Sequence, residues 1–144
     1  MNTRVDFYII DANNDAGKLQ FVCKLLEKAY KQKHRVFVHC ADQTNTHQLD
    51  ELLWTFHDIS FIPHNIIGEG PEPAPPIQLG HGTIPSQHKD MLVNLTDKLL
   101  TQPIQFRRVA EIVLNDEQAK EAARDRYKQY RELGCVMHSH DLTK

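Results

Sequence analysis

The sequence predicts an α/β domain with a largely parallel sheet and helices on both faces. Short apolar runs alternate along the chain with longer segments whose apolar residues recur at helical spacing, and this order is typical of parallel sheets. The composition is that of an ordinary globular protein, with 40% hydrophobic and 25% charged residues. At 144 residues the chain is long enough to bury one core, and we expect a single domain over residues 1–144.

The first part of the chain predicts a strand–helix–strand unit. Residues Val5–Ile10 are β-branched or aromatic, in a run that suits a strand buried on both faces. After the polar loop DANNDAG, the segment Leu19–Gln32 carries apolar residues at helical spacing. Arg35–Cys40 then returns to the strand pattern.

A second helix and a proline-rich segment follow. Thr46–Phe56 carries an apolar stripe that predicts a helix, with Thr44 or Thr46 as its N-cap. The run SFIPH is expected to form a short strand that ends at Pro63, because proline has no N–H to donate. The segment GEGPEPAPP, residues 68–76, predicts a stiff, extended linker.

The second half of the chain continues the strand–helix order. The predicted strands are PIQLGHG (residues 76–82), Met91–Thr96 and Arg108–Leu114, and residues 98–106 predict a short helix or a loop. The clearest helix is Asp116–Gly134, with acids in its first turn, alanines inside it and Gly134 at its end. We expect the last ten residues or so to form a loose tail.

A nucleotide cofactor is not predicted, although α/β sheets commonly bind nucleotides. The phosphate loop would follow the first strand, where the sequence reads DANNDAGK, with one glycine and neither GxGxxG nor GxxxxGK[ST]. The glycines at 68, 70, 80 and 82 are not followed directly by a helix pattern. A nucleotide-binding enzyme or hydrolase on this fold remains the alternative hypothesis.

Metal and nucleophile sites have little support in the sequence. The nine histidines are scattered, and His138 and His140 form a pair with no third ligand placed by the sequence. The chain has three cysteines, Cys23, Cys40 and Cys135. Because this number is odd and the three are widely spaced, we expect reduced thiols in a cytoplasm. The N-terminus does not have the pattern of a signal peptide, and no run approaches the ~20 apolar residues of a membrane span. We therefore expect a cytoplasmic protein with no metal and no catalytic residues.

The last predicted helix carries a stripe that is both basic and aromatic. Lys120, Arg124, Tyr127 and Arg131 recur at intervals of three and four residues, so they align over roughly 16 Å at ~1.5 Å per residue. Such a stripe is commonly a solvated surface. Arginine also binds carboxylates in a bidentate manner, so the stripe would equally suit an acidic, aromatic peptide or a nucleic-acid strand. The net charge of −2 argues against tight binding of nucleic acid.

Two apolar features are compatible with either core packing or a partner. Trp54, the one tryptophan, lies off the leucine stripe of its helix, which predicts partial exposure and a role as an interface anchor. Phe61 and Ile62 stand directly before Pro63, and His64 follows. This stretch is either a buried strand that runs into a loop or a binding edge, and the proline favours the edge.

Four segments together resemble the chi subunit family of bacterial DNA polymerase III. They are FYIID near the N-terminus, LDELLWTF (Leu49–Phe56), SFIPHNIIGEGP (Ser60–Pro71) and ARDRYKQYRELG (Ala123–Gly134), in an order and spacing that fit nearly the full chain. The combination of LLW, FIPH and RYKxYR is specific to that family. The resemblance implies a three-layer Rossmann-like domain without a nucleotide site, which acts as a non-catalytic accessory subunit of the clamp loader.

The resemblance also implies two partners on opposite surfaces. One surface would pair with the psi subunit, which tethers chi to the clamp loader. The other would bind the acidic C-terminal tail of the single-stranded-DNA-binding protein, which ends in a phenylalanine carboxylate. Contact with DNA would then be indirect, and a helicase-type protein could also use the edge that binds psi.

The family pattern assigns residues of this chain to both surfaces. In the tail-binding set, Arg124 would pair with the terminal carboxylate, and Lys120 and Arg131 would face the acidic residues of the tail. The apolar end of the tail would contact Trp54, Val113 and Tyr127, and Ser139 would lie near this site. The psi-binding residues are Phe61, flanked by Ile62, Pro63 and His64.

Overall fold

Seven strands and three helices form the part of the chain that the structure describes. The structure is a computed structural model that describes residues 3–55, 62–67, 75–81, 90–96 and 105–143. The strands are β1 (Arg4–Ile9), β2 (Val36–Cys40), β3 (His64–Ile66), β4 (Ile77–His81), β5 (Met91–Asn94), β6 (Arg108–Val113) and β7 (Val136–Asp141). The helices are α1 (Asp15–Lys31), α2 (Gln43–Thr55) and α3 (Glu117–Glu132).

The described strands form one parallel sheet in the order β3-β4-β2-β5-β6-β1-β7. In this order β1 lies between β6 and β7, and β3 and β7 are the two edges. Because the strands are parallel, all of their amino ends lie along one border of the sheet and all of their carboxyl ends along the other. The predicted α/β fold is confirmed.

Helices cover both faces of the sheet, which gives three layers. On one face, Leu26 of α1 and Leu49 and Leu53 of α2 pack in a buried cluster with Val38 of β2. On the other face, residues of α3 pack against Phe7 of β1 in a second cluster. Side chains buried on both faces explain why the strands appear in the sequence as nearly continuous apolar runs. Within the described residues, no helix is long and apolar enough to cross a membrane.

The helices α1 and α3 begin with a side-chain cap. Asn14 accepts a hydrogen bond from the backbone N–H of Gly17 at 2.8 Å, and Asp116 accepts one from Ala119 at 2.7 Å. Both caps satisfy an N–H that has no partner inside its helix. The cap at Asn14 also explains why α1 begins within the segment predicted as a polar loop.

The same two helices end in a left-handed residue. Lys33 has φ 66° and Gly134 has φ 87°. In α1, the N–H of Lys33 bonds to the carbonyl of Tyr30 at 2.9 Å and that of His34 to Ala29 at 3.0 Å. These are the two bonds of a Schellman motif, and α3 ends with the same pair around Gly134.

The N-terminus of α2 differs from its prediction. Its capping residue is Asp42, whose carboxylate accepts from the N–H of Asn45 at 2.8 Å. The predicted caps Thr44 and Thr46 both lie inside the helix, and the hydroxyl of Thr46 donates to the Asp42 carbonyl at 2.8 Å. The prediction was wrong because three capping residue types occur within five positions, and all of them are compatible with a helix start.

The strand predicted from SFIPH also differs. Pairing begins at His64, directly after Pro63, instead of ending at the proline. Pro63 thus precedes the ladder, where its missing N–H breaks no hydrogen bond. Phe61 lies outside the described residues, as do most of the predicted linker and most of the predicted segment 98–106.

The C-terminal residues form a strand, so the predicted loose tail is wrong. β7 pairs with β1 from Val136 opposite Arg4 to Asp141 opposite Ile9. Most of its side chains are exposed, and it therefore lacks the apolar pattern that identified the inner strands. Backbone hydrogen bonds to β1 hold it in place.

Candidate functional site

A cavity of about 300 Å³ lies between α3 and the sheet, on the side of the edge strand β7. Apolar residues and one hydroxyl contribute from the strands, and cations and an aromatic ring contribute from the helix. The lining residues are Phe7, Ile9, Val113, Lys120, Ala123, Arg124, Tyr127, Lys128, Arg131 and Ser139. We call this cavity the basic pocket.

The register of three strands builds the floor of the basic pocket. Ile9 of β1 lies opposite Val113 of β6, and Phe7 of β1 lies opposite Ser139 of β7. Partners in parallel strands point to the same face, so these side chains gather below α3. The ring of Tyr127 packs against Phe7 with 5.5 Å between the ring centroids. The floor is therefore apolar and preformed.

The rim of the basic pocket carries four cations from one helix. Lys120, Arg124, Lys128 and Arg131 all line the cavity and follow one another along α3 at intervals of three and four residues. Among the described residues, no carboxylate lies within ion-pair distance of the Arg124 guanidinium. An apolar floor below four cations suits a ligand that combines an apolar group with several negative charges.

The carboxylate of Asp141 lies near Lys120 of this rim. Asp141, at the end of β7, accepts hydrogen bonds from the Thr143 hydroxyl at 2.6 Å and from the Thr143 N–H at 3.0 Å. These bonds, with a smaller effect from the charge of Lys120, hold the pKa of Asp141 below its ordinary value. Asp141 therefore remains ionised at neutral pH.

A buried ionic network fixes α3 over the sheet. Glu111 of β6 is fully buried and accepts hydrogen bonds from Tyr130 at 2.6 Å, Arg126 at 3.1 Å and Asn94 at 2.8 Å. Burial raises the pKa of Glu111, and the charge of Arg126 and these hydrogen bonds oppose that rise. Because Arg126 and Tyr130 lie on the helix that carries the rim, the network sets where the rim stands relative to the floor.

Six of the seven predicted tail-binding residues line the basic pocket, and they come from α3, β6 and β7. They are Lys120, Arg124, Tyr127, Arg131, Val113 and Ser139. Sequence reasoning missed four lining residues: Phe7, Ile9, Ala123 and Lys128. Lys128 lies four residues after Arg124, so helical spacing alone could have identified it. Phe7 and Ile9 could not be found without the strand order.

Trp54, the seventh residue, lies elsewhere. It projects from α2 on the opposite face of the sheet, with its ring centroid 4.9 Å from that of His64 on the edge strand β3. Five strand spacings separate β3 from β1, which is about 24 Å. Trp54 therefore cannot contact a ligand group held in the basic pocket, and the structure groups it with the residues of the β3 edge.

The β3 edge has a buried part and an exposed part. Ile62 is 1% exposed and belongs to the core, and Pro63 is half-buried. The ring of His64 is buried, with Nδ1 2.7 Å from the carbonyl oxygen of Ile62 and Nε2 3.2 Å from Oδ1 of Asp50. Trp54, at 57% exposure, covers this ring from outside. The edge thus offers a large aromatic surface held by a buried histidine.

Comparison of the sequence with known proteins identifies its family. The sequence model of the DNA polymerase III chi subunit (HolC) family matches residues 1–138. The chain is 41% identical over 142 residues to the DNA polymerase III subunit chi of Pseudomonas aeruginosa. The aligned region covers 99% of this chain and 99% of the relative.

The chain belongs to the DNA polymerase III chi subunit family.

More distant chi subunits match over most of their length too. The subunit of Escherichia coli is 32% identical over 133 residues, covering 89% of this chain and 90% of the relative. That of Haemophilus influenzae is 29% identical over 135 residues, covering 93% and 94%. Family membership makes this chain an accessory subunit of the replication machinery, with a polymerase complex as its partner.

Proposed function

We propose that this chi subunit is a non-catalytic bridge between the psi subunit and the C-terminal tail of the single-stranded-DNA-binding protein. The basic pocket carries the proposal, because it combines an apolar floor with a rim of four cations. A peptide that ends in an aromatic residue and carries several carboxylates matches both parts. The two surfaces lie on opposite edges of the sheet, so both partners can bind at once.

The terminal phenylalanine of the tail would occupy the floor of the pocket. Val113 is 2% exposed and Phe7 is 3% exposed, so they form a firm surface beneath Tyr127. Burial of one aromatic side chain contributes about 2 kcal/mol. The hydroxyl of Ser139 gives the same end of the pocket a hydrogen-bonding group.

The terminal carboxylate would pair with Arg124. This residue is exposed on the rim, and its guanidinium can bind both carboxylate oxygens at once. Lys120, Lys128 and Arg131 would meet the acidic residues that precede the phenylalanine. Each exposed pair contributes less than about 1 kcal/mol, and salt weakens it.

We expect binding of one tail at around micromolar strength, which corresponds to about 8 kcal/mol. An oligomeric partner that presents several tails would raise the apparent affinity by avidity. This contact brings the polymerase machinery to DNA indirectly, in the cytoplasm, through a protein that coats the strand.

The psi subunit would bind at the β3 edge. Trp54 supplies an exposed aromatic anchor there, next to His64 and Pro63, and Phe61 remains part of the proposed contact. Half-exposed tryptophan is among the residues that contribute most to binding energies. A helicase-type protein would be an alternative partner of the same edge.

Calorimetry on two variants tests the proposal. Arg124→Ala should weaken binding of a tail peptide by about tenfold or more and leave psi binding intact, because the basic pocket lies far from the β3 edge. Phe61→Ala should have the opposite effect. Equal losses for both partners would contradict the two-surface proposal, provided that circular dichroism shows both variants to be folded.

A further inference from the structure

The amino-terminal border of the sheet carries a line of cations that neither proposed partner uses. Arg4 begins β1, Arg107 and Arg108 stand at the start of β6, and Arg35 directly precedes β2. Lys33 ends the turn after α1, two residues before Arg35. We call these five residues the arginine border.

Backbone hydrogen bonds around Asp90 hold the segments of the arginine border together. The Asp90 carboxylate accepts from the N–H of Arg35 at 2.9 Å. Its carbonyl accepts from the N–H of Arg107 at 3.1 Å and from that of Arg108 at 3.0 Å. The N–H of Arg4 in turn bonds to the Arg107 carbonyl at 3.0 Å. One connected set of bonds therefore fixes four arginine backbones side by side.

Among the described residues, the border has five cations on a chain whose net charge is −2. The carboxylates of Asp90 and Asp6 bond to it, and Arg35 has a further interaction. Asp90 is already bonded to Arg35 and lies 3.4 Å from the ring of His34. The last turn of α1 adds Lys28 and Lys31, with Glu27 beside them. The described part of this border thus forms a second cluster of cations, separate from the rim of the basic pocket.

Asp6 leaves part of this charge available. It is fully buried and accepts from Arg108 through Nε alone at 3.0 Å, and from Arg4 through Nε and one terminal nitrogen. A guanidinium has five N–H donors, so both arginines keep donors for another acceptor. The side chain of Arg4 is 44% exposed, and that of Arg108 is 33% exposed.

We propose that the arginine border binds the phosphate backbone of a nucleic-acid strand. Arg4 to Arg35 spans three strand spacings, about 14 Å, and a strand of B-DNA carries one charge about every 3.4 Å. The backbones of these arginines therefore span the length of about four phosphates. Arginine suits phosphate because its planar group binds two oxygens at once. This contact is direct and independent of base sequence, unlike the indirect contact through the tail.

The test measures anisotropy of a fluorescein-labelled oligothymidylate titrated with the full chain. With about four phosphates neutralised, the affinity should fall by about fifty-fold between roughly 50 and 200 mM salt. The variant Arg35→Ala/Arg107→Ala should lose at least tenfold in affinity at the lower salt and show a shallower dependence on salt. Its tail-peptide affinity should stay unchanged, since neither residue lines the basic pocket.

A matched control separates the border from the overall charge. Thr44→Glu/Gln48→Glu changes the net charge by the same two units on exposed positions of α2, at the other border of the sheet. It should bind the oligonucleotide like the natural chain. The proposal is overturned by absence of binding at low salt, by equal losses in both variants, or by polyglutamate competing better than unlabelled oligothymidylate. The last result would assign the border to an acidic protein.

Discussion

The hydroxyl of Tyr130 donates to the carboxylate of Glu111 across 2.6 Å in the core, at the centre of a network that anchors α3 to the sheet. Burial, and then the charge of Glu111, raise the pKa of the Tyr130 hydroxyl, which therefore stays a donor at all physiological pH values. The helix that this bond fixes also carries every cation of the basic pocket. Stability and the proposed binding of the tail thus depend on the same helix, through different residues.

Removal of that hydroxyl should destabilise the protein. Tyr130→Phe keeps the ring and leaves the buried carboxylate with one donor fewer, so the free energy of unfolding should fall by about 1.5–3 kcal/mol. Tyr30→Phe is the matched control, because the half-buried Tyr30 hydroxyl has no hydrogen bond within the described residues. It should change stability by less than about 0.5 kcal/mol. Equal urea midpoints for the two variants would contradict this role of Tyr130.

Asp6 should make stability depend on pH in the acidic range. Burial alone would raise its pKa, but hydrogen bonds from Arg4 and His140 and the charge of Arg108 outweigh burial and lower the pKa below 3.8. A lowered pKa means that the unfolded chain takes up the proton first. The stability is therefore present at neutral pH and is lost as the pH falls from about 4 through the lowered pKa.

The variant Asp6→Asn isolates this effect. It should be less stable than the natural chain at pH 7, and the difference should shrink as the pH falls below about 4. Urea unfolding at a series of pH values measures the difference. A constant difference across that range would show that Asp6 does not contribute through its charge.

The two left-handed helix ends predict opposite effects of glycine. Lys33→Gly should raise the free energy of unfolding by about 0.5–1 kcal/mol, because a side chain is unfavourable at φ 66°. Gly134→Ala should lower it by about 1 kcal/mol for the same reason at φ 87°. An added methyl group at Gly134 would meet no atom within 4 Å, so the loss comes from the backbone alone. Changes of the same sign in thermal unfolding would contradict this account.

Trp54 distinguishes the two proposed surfaces. Trp54→Ala should leave the affinity for a tail peptide unchanged within about twofold. Trp54 packs against His64 of β3, which lies at least four strand spacings, about 19 Å, from the pocket strands. It should weaken binding of psi by more than tenfold, as loss of an exposed aromatic anchor does. Calorimetry with both partners measures this. A large loss of peptide affinity in the folded variant would return Trp54 to the tail-binding set.

Much of the fold follows from local patterns in the sequence. The inner strands are apolar because they are buried on both faces, and α1 and α3 show helical spacing, so their existence and type were predictable. β7 was missed because it lies at an edge with mostly exposed side chains, and its pairing with β1 is carried by the backbone. The left-handed end at Lys33 also has no local signal, since glycine is the residue expected there.

Residue spacing predicted the site only where one helix contains it, and the family resemblance added Val113 and Ser139 from the strands. Lys120, Arg124, Tyr127 and Arg131 share a face of α3 whatever the surroundings, so spacing alone aligns them. The floor depends on β1 lying between β6 and β7, a long-range relationship that no local pattern encodes. Trp54 was assigned to the tail by the family resemblance, and the sequence alone does not show that α2 covers the face of the sheet opposite α3.

The most direct test of the basic pocket uses calorimetry to compare a tail peptide that ends in a free carboxylate with the same peptide that ends in an amide. Both peptides are titrated into the natural chain and into two variants. The natural chain should bind the free-acid peptide about tenfold or more tightly than the same peptide with a C-terminal amide, since a charged hydrogen bond contributes about 1.5–3 kcal/mol. Arg124→Ala should lose that preference, whereas Arg131→Ala should bind more weakly and keep it. Equal affinity of the natural chain for acid and amide, or an unchanged preference in Arg124→Ala, would contradict the account.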